Sequence, residues 1–177
     1  MPQVFDLVLK GAEVATPNGL EKISIGVSNG RIASLGRIDA DGAESLDLGG
    51  LTVLPGVIDS QVHFREPGLE HKEDLESGTR AAALGGVTGV FEMPNTNPST
   101  LTADDLANKL GRAKGRTWVD HAFFMGASEE NAHALAELEL LPGCCGIKIF
   151  MGSSTGSLLV EDDEALLEVL KSGRRRV

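Results

Sequence analysis

Val57-Ile58-Asp59-Ser60-Gln61-Val62-His63-Phe64-Arg65 is the stretch on which the fold turns. Side chains alternate across a strand, so an extended reading puts Asp59, Gln61, His63 and Arg65 on one face. Ile58, Val62 and Phe64, with Ser60, fall on the other. Three further apolar runs follow, beginning near Val87, Thr117 and Cys145, so the starts lie 30, 30 and 28 residues apart. Between them the helix-like stretches are 73–84, 103–114 and 129–140, and a last one spans 162–171. Thr102 and Ser128 stand where side chains cap a helix start. A strand–helix unit repeated near thirty residues is a βαβ series and predicts a parallel sheet. Four units are half of a (β/α)8 barrel or most of a doubly wound sheet. A polar set at the C-terminal end of a barrel strand is where such a fold builds its active site.

Upstream of Pro55-Gly56 the texture differs. Residues 5–9, 22–27 and 31–35 read as short strands, and Asn29-Gly30 between the last two is a strong hairpin signal, because a type I′ turn needs positive φ at both central residues. A third kind of run, 45–48, ends at Gly49-Gly50. The expected organisation is therefore a small β segment over 1–54 and four βα units over 55–177. Downstream, 173–177 reads as the approach to a fifth strand, which predicts that the chain is the N-terminal part of a longer polypeptide.

Composition narrows the function classes. Lys and Arg number 16 against 26 Asp and Glu, a formal charge of −10. That is the wrong sign for a phosphate backbone or an anionic membrane surface, so neither nucleic acid nor membrane is expected as a partner. No run approaches the ~20 apolar residues of a membrane span. Cys144 and Cys145 are adjacent and poorly placed to bridge each other. With no secretory signal visible, these features point to the cytoplasm.

The segment 55–68, from Pro55-Gly56-Val57 to Glu66-Pro67-Gly68, resembles the signature of dihydroorotases in the cyclic amidohydrolase superfamily. Glu70-His71-Lys72-Glu73-Asp74, Gly85-Gly86-Val87-Thr88, Met93-Pro94-Asn95-Thr96-Asn97-Pro98 and Gly146-Ile147-Lys148-Ile149-Phe150-Met151-Gly152 continue the likeness. The block around Lys148 is shared with hydantoinases. The resemblance implies an α/β fold, the first half of a (β/α)8 TIM barrel preceded by a small β-sandwich segment. It also implies one or two zinc ions. The family carries His-x-His on its first strand; here the pattern is Gln61-Val62-His63, so His63 matches the second ligand and Gln61 replaces the first. An imidazole nitrogen is a good zinc ligand, whereas an amide carbonyl is a weak, neutral oxygen donor. Lys148 matches the lysine that hydantoinase-like members carboxylate, which would turn a cation into an anionic bridging ligand.

Arg65 and Asn95 match the pair that holds the substrate carboxylate in dihydroorotases, and His63 adjoins them. A guanidinium bonds carboxylate with charge assistance, and the amide adds a neutral donor. The implied reaction is the reversible closure of N-carbamoyl-L-aspartate to L-dihydroorotate. The implied general acid/base is an Asp beyond residue 177. Two alternatives stand beside it: an inactive structural relative partnering aspartate transcarbamoylase, favoured by Gln61, and a hydantoinase or allantoinase. Further copies of the chain and its own remainder are the other expected partners. His121 is assigned a structural role, and His71 and His133 are expected in solvent. The stretch 152–157 lacks the Lys of a phosphate loop and is a candidate active-site loop.

Overall fold

A computed structural model describes residues 4–39, 43–152 and 158–173. The sequence features at 153–157 and 174–177 lie outside the described residues. The chain divides into two compact units, Met1–Pro55 and Gly56–Val177.

The first unit contains two sheets. One pairs β1 (Leu7–Lys10), β4 (Ser24–Ser28), β5 (Arg31–Gly36) and β6 (Glu44–Asp47) in the order β5-β4-β1-β6. The other pairs β2 (Glu13–Thr16), β3 (Gly19–Lys22) and β7 (Thr52–Val53) in the order β3-β2-β7. Asn29 and Gly30 have φ of 52° and 69°, and Ser28 pairs with Arg31, so the hairpin turn forms as the dipeptide requires. Ala12, Val14 and Ile25 form a small core packed by Leu9, Val27 and Val53, side chains from both sheets. The strands of the second sheet escape a pattern reading because two to four residues hold too little alternation.

In the second unit, β8 (Val57–Val62), β9 (Val87–Glu92), β10 (Asp120–Gly126) and β11 (Cys144–Lys148) form one parallel sheet, ordered β11-β10-β9-β8. Each neighbour is the next strand in sequence, as in a singly wound barrel wall rather than a doubly wound sheet. Helices α1 (Leu75–Leu84) and α2 (Ala103–Ala113) cross between strands. Both begin with a reciprocal capping box: Asp74 accepts from the Ser77 amide, and Thr102 from the Asp105 amide. Phe64, Leu75, Val90, Leu106, Phe123, Met125 and Ile147 are among the buried side chains that join sheet to helices. Each such side chain contributes about 1.5–3 kcal/mol on burial.

Two expectations need correction. The third helix does not run from 129 to 140; only a 3-10 turn (Ala132–Ala134) and the short α3 (Leu135–Leu138) form there. Ser128 does not cap a long helix. Its amide donates to Asn131 Oδ1 (2.9 Å) and its Oγ accepts from the Asn131 amide (3.3 Å). Asn131 Nδ2 also donates to the Leu101 and Gly126 carbonyls, 2.9 Å each, so the segment is tied down before a helix can start. The last helix, α4 (Asp163–Ser172), is capped by Asp162. The second correction is to the alternation of β8. The ladder slips between Asp59 and Val62, where the Gln61 amide donates to Asp59 Oδ1 at 3.0 Å. A bulge of this kind re-aims side chains, so the one-face reading does not hold through 59–65. Arg65, at φ 67°, lies past the strand in a left-handed turn.

Candidate functional site

The parallel strands end together, and the sequence-predicted residues sit at or just beyond those ends. His63 follows β8, and Asn95 stands three residues beyond β9. The two are brought into contact: His63 Nδ1 lies 2.7 Å from Asn95 Oδ1. An amide oxygen only accepts, so in the neutral ring Nδ1 carries the proton and Nε2 keeps its lone pair. Metal-binding histidines are oriented in this way, with one ring nitrogen tied to an acceptor and the other free to ligate. Asn95 retains its two Nδ2 donors. Both side chains are half-buried.

The loop that carries His63 and Arg65 is fastened from behind. Glu66 is buried, 3% exposed, and accepts from Arg116 Nη1 (2.8 Å), Arg116 Nη2 (3.2 Å), the Leu75 amide (3.0 Å) and Arg112 Nη1 (3.4 Å). Burial raises its carboxyl, but these donors outweigh it and hold the group below the usual 4.5. The second loop is fastened the same way. Glu92, the last residue of β9, meets Lys109 at 2.6 Å with both side chains 1% exposed. Burial pushes the Glu92 carboxyl up to about 7 although Lys109 pulls it down. Burial likewise lowers Lys109 against the pull of Glu92. Removing water disfavours each charge more than the contact restores it.

The remaining candidates are placed differently. Gln61 is exposed. Lys148 ends β11 half-buried, its ammonium 5.1 Å from the Phe150 ring centroid, and no hydrogen bond or ion pair joins it to His63 among the described residues. Arg65 does not pair with Glu66; its guanidinium makes no hydrogen bond or ion pair with a described residue. Among the described residues, no three His, Cys, Asp or Glu side chains converge as a metal would require. His63 fits a zinc ion, Gln61 fits it weakly, and Lys148 fits it only as a carbamate. His121 is structural in its contacts, with Nδ1 3.1 Å from Thr117 Oγ1 and its ring against Phe123. His71 and His133 are exposed. A cavity of about 960 Å³ borders Asn95 and is walled by Leu101, Asn131 and Leu138.

Sequence reasoning passed over Glu92, Lys109, Arg112 and Arg116. Lys109 and Arg112 lie three residues apart on α2, and Arg116 follows just past its end, so spacing alone does not bring the three together.

Residues 50–136 match the family model described as dihydro-orotase-like. An allantoinase from Deinococcus radiodurans is 36% identical over 174 residues, covering 97% of this chain and 39% of that protein. An allantoinase from Escherichia coli is 39% identical over 150 residues, covering 84% and 33%. Among solved structures, the L-hydantoinase (dihydropyrimidinase) from Arthrobacter aurescens superposes with a TM-score of 0.86 at 29% identity, over 94% of this chain and 38% of that one. A dihydropyrimidinase from Brevibacillus agri gives 0.80 at 27%, over 93% and 37%. With one parallel wall, one β segment and these relatives, the chain belongs to the cyclic amidohydrolase superfamily. It spans 39% of the first allantoinase and 38% of the first hydantoinase. No helix among the described residues is long and apolar enough to cross a membrane.

Proposed function

We propose that the protein carrying this chain hydrolyses a ring amide in a cyclic ureide of the hydantoin and allantoin class. The observation that carries the reading is the 2.7 Å contact that holds His63 by Nδ1 and leaves Nε2 for a ligand at the end of a parallel sheet. The named relatives support the substrate class. They favour it over dihydroorotate, the first expectation from sequence.

His63, a carboxylated Lys148 and, weakly, Gln61 are the residues of this chain that would hold zinc. Zinc supplies an activated water near neutral pH and polarises a carbonyl. The rest of the derivation concerns this chain's own groups. Asn95 fixes the His63 ring through Oδ1 and offers Nδ2 to a ring carbonyl. Arg65, whose guanidinium makes no hydrogen bond or ion pair among the described residues, is placed to meet the carboxylate that forms. In the reaction the oxygen of a water molecule adds to the ring carbonyl, the ring C–N bond breaks, the departing nitrogen takes one of that water's protons, and the acid formed releases the other to leave a carboxylate.

A second reading, dihydroorotate, is favoured by the same Arg65 and the Asn95 amide, which together suit a carboxylate already present on the substrate. The family model's description points the same way. Assays of the whole protein against hydantoin, allantoin and L-dihydroorotate separate the two. Turnover of either ureide with dihydroorotate inert supports the first. Turnover of dihydroorotate alone replaces it with the second. Turnover of none, with zinc supplied, leaves the inactive scaffold that Gln61 suggests.

A further inference from the structure

Helix α2 reaches both loops of the candidate site. Lys109 is 1% exposed and donates twice, to Glu92 Oε2 at 2.6 Å and to the Met93 carbonyl at 3.2 Å. Met93 stands two residues before Asn95. The next carbonyl, that of Pro94, accepts from the Thr96 and Thr100 amides at 2.9 and 3.0 Å, so the backbone around Asn95 is a closed turn. The Asn97 amide donates to the Pro67 carbonyl at 2.9 Å and joins this turn to the loop that carries His63.

As a source of stability the ion pair is a poor choice. Well-packed apolar residues of similar volume replace a buried pair at little or no cost. Among the described residues, Glu92 Oε1 even has no hydrogen-bond partner. A methionine and a leucine would fill the space under Phe123, whose ring centroid lies 5.4 Å from the ammonium. They would not supply the directed bond to the Met93 carbonyl.

We propose that Lys109 is a positioning residue: by bonding Glu92 and the Met93 carbonyl together, it sets the turn that presents Asn95 to His63. The proposal rests on the reading of His63 and Asn95 as working parts of a ring hydrolase. A merely structural pair would be replaceable by apolar residues without effect on turnover.

The test uses the whole protein carrying Glu92→Leu together with Lys109→Met, which removes both charges, and Lys109→Met alone beside it. Melting temperature, amide exchange at Thr96, Asn97 and Thr100, and kcat and KM are measured on the ring substrate that the wild type opens best. The double variant is expected to fold, to exchange those three amides about tenfold faster, and to lose about 10- to 100-fold in kcat with KM little changed. Lys109→Met alone is expected to show the same kinetics with a lower melting temperature. A double variant with wild-type exchange or wild-type kcat overturns the proposal. So does one that fails to fold, since the pair would then serve stability. If the wild type opens no ring, the functional reading fails by itself, and the exchange measurement alone decides what Lys109 does.

Discussion

A single hydrogen bond decides how His63 is read. Its Nδ1 donates to Asn95 Oδ1, so its Nε2 keeps the lone pair that a ligand needs. Partners of this kind cost about 10- to 100-fold in metal affinity or activity when removed. Asn95→Ala in the whole protein is therefore expected to lower kcat by about that factor while the protein stays folded. Unchanged kinetics and zinc content would show that the contact is incidental. Specific motifs single out His63, Arg65 and Asn95 in the sequence, and a less specific one singles out Lys148. Their geometry is not legible there. The bulge at 59–62 depends on which strand pairs with β8 and in what register, and period-two counting carries no such information. Nor did the motif reveal that Glu66 is held by Arg112 and Arg116, some fifty residues on, rather than by its neighbour Arg65.

At the scale of elements, local chemistry explains where the helices succeed and fail. Asp74 and Thr102 each close a capping box, and both helices start where those residues place them. Asp74→Ala is expected to cost about 1 kcal/mol in urea unfolding, with the fold intact. A loss below about 0.3 kcal/mol would mean that tertiary packing alone fixes the start of α1. The stretch 129–140 has helix-forming composition, but Asn131 spends its side chain on the Leu101 and Gly126 carbonyls and the Ser128 amide, and its own amide on Ser128 Oγ, a competition that propensity does not register. Glycine carries a second lesson. Gly78 in α1 faces the Phe64 ring so closely that an added Cβ would overlap it. Gly78→Ala, stabilising in an isolated helix, is expected to destabilise this one by about 1–3 kcal/mol, because overpacking exceeds the gain in propensity. A more stable variant would show that Phe64 can move away.

For the molecule as a whole, the order of units follows from the thirty-residue repeat and the Asn29-Gly30 hairpin, while the burial of Glu66, Glu92 and Lys109 arises only from the packed fold. Those charges set a pH dependence with a definite sign. Glu66 is held below 4.5 in the folded state, so its contribution is present above that pH and is lost as pH falls through the depressed value. The melting temperature of the wild type should exceed that of Glu66→Gln most widely above pH 4.5, and the gap should close on acidification. A gap independent of pH would mean that the four donors do not favour the ionised carboxylate. Glu92 acts in the opposite sense: raised to about 7, it favours the fold below 4.5 and loses that contribution as pH rises through 7. The whole molecule is also where function is decided. The most direct measurement is zinc-dependent ring opening of hydantoin and allantoin by the entire protein, wild type against His63→Ala. The expected result is turnover in the wild type that chelation abolishes and a His63→Ala variant, equally folded, that has lost both turnover and bound zinc. A variant that retains its zinc and its rate would contradict the placement of chemistry at His63.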